Sequence, residues 1–276
     1  MLAVFNAVLV LICFIYYNHL TISQFRNKYM RLVAKKINEL VTENYVYAAV
    51  LHYFGIEFYN YSNDTLAQVC KARNLNVEKV VSSLEAIHHQ PKELPLNTYP
   101  ADLVIEYLRH AHYVFINEKL PYMASLIENL DPQKIGNAHT IRDLQLLFPL
   151  FTEDFIHHIH EEEDTFFRYV MLLMGASQGH YNASKLHYEM EKNQVHLLAI
   201  EHDTHDDEMK GIRDITNNYY LDQNAHLHLR VLFMELQALE KDLQVHAKIE
   251  NQILFPKALQ LELKVKQMLK KRHHYN

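Results

Sequence analysis

Two stretches of this chain put an acid and an imidazole where a helix would bury them. In HAKIENQILFP, His246 and Glu250 stand four residues apart, one above the other on a single helix face. The rest of that face is oily: Leu232, Leu236, Leu239, Leu243, His246, Glu250 and Ile253 follow the steps of a stripe that points into a core. The same device recurs in FIHHIHEEEDTFF. There His158 and Glu162 lie in a stripe of Phe151, Phe155, His158, Glu162, Thr165 and Tyr169. A carboxylate is costly to bury unless something positive meets it. With a neutral imidazole one turn away, a metal ion is the natural candidate.

Each copy follows a helix with histidine in its own apolar stripe. One stripe is Val104, Leu108, His112 and Phe115; the other is Val195, Leu198, His202, His205, Met209 and Ile212. His112 precedes His158 by 46 residues and His202 precedes His246 by 44, so the chain reads as a duplicated helix pair. His110 is the alternative to His112 on its helix. His205 is expected beside the site, and His157, His160, Glu161 and Glu163 on flanking, solvated faces.

Five glycines and seven prolines in 276 residues, with long periodic stretches, predict an all-α chain. Pro91, Pro95 and Pro100 mark a stiff linker over 91–100. Before it, residues 30–90 read as a small domain of short helices, with Asn63-Asp64-Thr65 and Asn76 as cap signals. After it, 101–270 reads as four long helices joined by short connections, an up-down-up-down bundle. The first is expected to bend at Pro121 and the second, ending near Leu173, to kink or break at Pro149. The third is expected to run from about Ser184 to Thr216, and the fourth to bend at Pro256.

Residues 1–29 carry a hydrophobic stretch, Leu2 to Tyr17, broken only by Asn6 and followed by Arg26, Lys28, Arg31, Lys35 and Lys36. It reads as a membrane anchor within 1–20, as a poor signal sequence, or as translated sequence upstream of a start at Met30. An anchor would leave the remainder in the cytoplasm. A net charge of −6 with no basic face argues against nucleic acid as a partner. Cys13 and Cys70 are too few for a disulfide framework and favour a reducing compartment.

Four imidazoles (His112, His158, His202, His246) and two carboxylates (Glu162, Glu250) exceed the needs of one tetrahedral zinc. They suit two iron or manganese ions bridged by the glutamates, with open positions for oxygen species or nitric oxide. Glu201 and Asp203 flank His202 and could orient it or guide protons.

These motifs resemble the di-iron proteins that repair iron–sulfur clusters, the repair-of-iron-centres family. The likeness rests on His158-x-x-x-Glu162, Glu201-His202-Asp203, His246-x-x-x-Glu250 followed by ILFP, and the His112 helix with EKLP, and covers about Met30 to Pro256. It implies a haemerythrin-like four-helix bundle behind a small helical N-terminal domain. His112, His158, His202 and His246 would be terminal ligands of two non-haem irons, Glu162 and Glu250 would bridge, and Glu201 would act near the site. It further implies a cytoplasmic stress protein acting on iron–sulfur proteins damaged by nitric oxide or oxidants, an iron-handling protein more than a turnover enzyme. A haemerythrin-like sensor or store of oxygen or nitric oxide is the alternative, a nitric oxide reductase or peroxidase a third reading, and a homodimer stays open as an assembly. One departure is clear: the family's Cys-Cys-Gly-Gly run is replaced by Tyr59, Asn60, Tyr61 and Ser62.

Overall fold

The computed structural model describes residues 29–86, 95–135, 137–203 and 207–274. The hydrophobic N-terminal stretch and His205 lie outside them. Two compact units result, one on each side of the Pro-rich stretch. Both are all-α: among the described residues the only extended pairing is a single bridge between Lys36 and Thr65. No helix among the described residues is long and apolar enough to cross a membrane.

The smaller unit contains α1 (Ile37–Glu43), α2 (Val46–Tyr53), α3 (Leu66–Ala72) and α4 (Val77–Ala86). Ile37, Leu40, Leu51, Ile56, Leu66, Val80 and Leu84 form its core, and Cys70 is buried among apolar side chains. Thr65 caps α3 reciprocally: its hydroxyl accepts from the Gln68 amide, and the Gln68 side chain accepts from the Thr65 amide. Asn76 accepts from the Glu78 and Lys79 amides at the start of α4. Gly55, at φ +71°, closes α2 in the left-handed region where only glycine is unstrained. In the segment 59–62, Asn60 donates to Glu57 and Tyr61 accepts from Arg73, so these two side chains serve polar packing.

The larger unit is the bundle. Its first arm is α5 (Ala101–Val114), a π segment (Phe115–Lys119) and α6 (Leu120–Glu128). A short α7 (Pro132–Ile135) leads to the second arm, α8 (Ala138–Glu162), a π segment (Glu163–Phe167) and α9 (Arg168–Ser177). The third arm comprises α10 (Ala183–Lys192), α11 (Val195–Asp203) and α12 (Lys210–Ile215); the fourth is α13 (Leu227–Ile249), a π segment (Glu250–Leu254) and α14 (Phe255–His274). Contacts join α9 to α10 and α14, and α11 to α14, at one end; α6, α8, α12 and α13 meet at the other. The arms therefore run up, down, up and down.

Several expectations about these arms are corrected. The third is not one helix but three: Asn193 and Gln194 interrupt it, and α12 begins only at Lys210. Pro149 does not break the second arm; it is exposed within α8, which continues helical through it to Glu162, and that arm ends at Ser177, not near Leu173. The linker is shorter than 91–100. Leu96 is buried in the bundle core, and the Lys257 ammonium donates to the Asn97 carbonyl, so 95–100 belongs to the bundle.

Pro121 and Pro256 do mark changes in helix geometry, but the device is the π segment. A proline ring collides with the carbonyl four residues back. For Pro121 and Pro256 those carbonyls belong to Asn117 and Gln252, both inside π segments, where the widened turn gives room. The Asn117 side chain donates to the Tyr113 carbonyl, and the Thr165 hydroxyl to that of Glu161. In each case a side chain bonds a carbonyl next to a disturbed α ladder.

The core falls into two apolar halves. One contains Val104, Leu108, Phe166, Leu173, Leu186 and Phe255; the other contains Met123, Phe148, Ile212, Phe233 and Leu236. Buried polar side chains gather near the π segments: Glu250 lies inside one, and Glu162 and His112 each lie within three residues of another.

Candidate metal centre

His112 ends the oily stripe of α5, Glu162 is the last residue of α8, His246 lies one turn before the end of α13, and Glu250 opens the final π segment. Their side chains are 2%, 5%, 10% and 1% exposed, so they face one another instead of water. The two imidazole Nε2 atoms are 3.0 Å apart. His112 Nε2 lies 3.5 Å from Glu162 Oε2, and His246 Nε2 lies 2.9 Å from Glu250 Oε1. One donor atom from each residue fits within a 4.8 Å span.

That spacing matches a shared cation. Ligands at about 2.1 Å from one ion lie about 3.0 Å apart when adjacent and about 4.2 Å apart when opposite. Of the three short separations, 3.0 and 3.5 Å fall inside that window and 2.9 Å lies at its lower edge. Two imidazoles with two carboxylates suit iron, manganese or zinc, and are too hard a set for copper(I).

The electrostatics of the metal-free protein agree. Burial drives the His112 pKa down to about 4, the nearby His246 adds to the effect, and the Glu163 hydrogen bond only partly opposes it. His112 is thus a neutral ligand at ordinary pH. Burial, followed by the charge of Glu250, holds the Glu162 carboxyl well above the usual carboxylate range. Without a cation, two acids at the centre of an oily bundle cannot both ionise cheaply, and one keeps a proton.

Aromatic walls fix the imidazoles. Phe167 stacks on His112 with planes 1° apart, and Phe115 meets His246 edge to face. Glu163, expected on a solvated face, instead accepts from His112 Nδ1 at 2.8 Å. The bond sets the tautomer that turns Nε2 toward the other donors. Arg109 stands 3.8 Å from the second Glu163 oxygen. Consecutive glutamates therefore reach both nitrogens of one ring, since the π turn starting at Glu163 carries an extra residue inward.

The remaining predicted residues are distributed as follows. His158 stands beside the four, its side chain 34% exposed and Nε2 3.8 Å from Glu208 Oε1. Glu201 and His202 fall in α11; their side chains lie outside the described residues. His110, His157, His160 and Glu161 are exposed. Glu208 was not singled out in the sequence, because it belongs to the turn before α12 and to no apolar stripe. A cavity of about 70 Å³ adjoins the centre, lined in part by His158, Glu208, His246 and Glu250.

No family model matches the chain. It is similar to proteins named iron–sulfur cluster repair protein YtfE, from Cronobacter sakazakii at 24% identity over 215 residues and from Escherichia coli O157:H7 at 20% over 212. Each alignment covers 77% of this chain and 90% of the relative. Iron–sulfur cluster repair protein ScdA of Staphylococcus haemolyticus is 18% identical over 222 residues, 80% of this chain and 96% of that protein. These similarities, low but spanning both units, support the resemblance read from the motifs.

Proposed function

We propose that this chain is a non-haem di-iron protein that helps restore iron–sulfur clusters damaged by nitrosative or oxidative stress. The observation that carries the reading is the pair of buried carboxylates facing two buried imidazoles inside an apolar bundle. The names of the similar proteins add the repair role. His112, His158, His202 and His246 would hold the irons at their outer positions, with Glu162 and Glu250 shared between them. Bound there, iron would supply redox chemistry and open coordination positions for small oxygen or nitrogen species. Damaged iron–sulfur proteins are the partners this role requires, and the reducing cytoplasm is its setting.

The protein's own groups have defined tasks. Phe115, Phe155, Phe167 and Ile159 keep bulk water from the centre. Glu163 orients His112. Glu162, which keeps its proton while the centre is empty, must release it on loading, so metal binding and proton release are coupled. Glu201, next to His202 in the sequence, would exchange protons with the site.

The test begins with protein purified without air. It should carry about two irons per chain, and the Glu162→Ala/Glu250→Ala double variant should lose most of them, because the bridging carboxylates go. Recovery of a cluster-dependent enzyme inactivated by nitric oxide should require the loaded protein. Two irons retained in the double variant would overturn the site.

The cavity beside His158 favours a second reading, a haemerythrin-like binder or sensor of oxygen or nitric oxide. Reversible oxygen binding by the reduced protein, without recovery of any damaged cluster, would select it.

A further inference from the structure

We infer that Glu208 is a ligand of the second cation, meeting it together with His158. This rests on the two-ion reading above and adds a third carboxylate to it.

The four most closely grouped donors account for one ion. His158 stands apart from them, and the carboxylate facing its Nε2 is Glu208, at 3.8 Å. That separation is too long for a hydrogen bond. It falls within the span of about 3.0–4.2 Å expected of two donors on one ion at about 2.1 Å. A cavity of about 70 Å³ is lined both by this pair and by His246 and Glu250 of the centre. At about 30 Å³ per water it has room for an ion and a water or small ligand.

Glu208 is also held in place. Arg213 bonds Asp207 on one side and Glu240 of α13 on the other, and Met209 is buried in the core. The turn carrying Glu208 is thus fastened to the fourth arm, so the carboxylate is presented at the cavity at little entropic cost. Charge points the same way. Two ferrous ions bring four positive charges, and Glu162 with Glu250 offsets only two; a third carboxylate brings the buried centre nearer to neutrality.

The experiment compares intact wild-type chain, Glu208→Gln and the exposed control Glu161→Gln, each titrated with ferrous iron without air and read by metal analysis and Mössbauer spectroscopy. Wild type and control should take two irons. Glu208→Gln should take the first normally and bind the second at least tenfold more weakly, with one quadrupole doublet shifted or lost. Two irons with wild-type affinity and unchanged doublets in Glu208→Gln would overturn the role of Glu208 while leaving the di-iron reading intact. Fewer than two irons in wild type would remove both. If circular dichroism shows that Glu208→Gln folds poorly, Glu208→Asp keeps the charge and decides the matter: a shifted doublet supports ligation, and an unchanged spectrum overturns it.

Discussion

At the residue scale, His112 shows how much of a metal site depends on groups that do not touch the metal. Its ring is stacked on Phe167 and bonded through Nδ1 to Glu163. Losing such an orienting carboxylate typically weakens metal affinity about 10- to 100-fold. Glu163→Ala should therefore bind iron more weakly by that order in competition with a chelator. Glu163→Gln, whose amide oxygen can still accept from Nδ1, should recover most of the loss. Wild-type affinity in Glu163→Ala would show that Phe167 alone positions the ring. This contact also marks the limit of reading stripes. His112, Glu162 and Glu250 were legible because a buried helix face repeats every three to four residues, and all three are buried. Glu163 was not, because in an α-helix it points about 100° away from Glu162. Glu208 was not, because its position depends on a turn between helices that no periodicity records.

At the scale of elements, the all-α architecture and the four arms follow from scarce glycine and proline and from the length of the stripes. The internal geometry of the arms does not. Proline content points to bends at Pro121, Pro149 and Pro256, yet only two of these sit beside a π segment, and the segment Glu163–Phe167 forms without any proline. Pro149 is accommodated on the exposed side of a continuous α8, where its missing amide and the crowded Gln145 carbonyl cost helix stability without benefit to packing. Pro149→Ala should thus stabilise the protein by about 1–3 kcal/mol, read as a higher urea midpoint at unchanged slope. An unchanged or lower midpoint would show that the helix relieves the clash at no cost. The third arm differs from its stripe for a related reason. Its apolar stripe continues across Asn193 and Gln194, where the Asn193 side chain bonds Glu189 and the backbone leaves the helix.

For the whole molecule, the centre joins arms that are held at their two ends by separate apolar clusters, so metal and pH should both govern stability. In the metal-free protein His112 and His228 are buried, and each pKa is held at about 4. Below pH 6.5 the unfolded chain takes up protons that the folded one refuses. Stability should therefore fall as pH drops from 6.5 toward 4. The acids act with opposite sign. Burial raises Glu235 to about 7 and holds Glu162 well above its ordinary value. Above about pH 4.5 the unfolded chain releases protons that these groups keep, so stability should decline as pH rises past 4.5, with the Glu235 share of the loss complete near pH 7. Iron removes the second effect at Glu162 alone, because the cation takes the place of the proton. The gain in melting temperature on loading with ferrous iron should therefore grow as pH rises from 5 for as long as the empty centre keeps the Glu162 proton. Affinity should rise about tenfold per pH unit wherever one proton is expelled. Paired melts of metal-free and loaded protein across that range give the answer. If the two curves run parallel, Glu162 is already ionised in the empty bundle, and the cost of burying it must be met by neighbouring charge instead of by a proton or a metal.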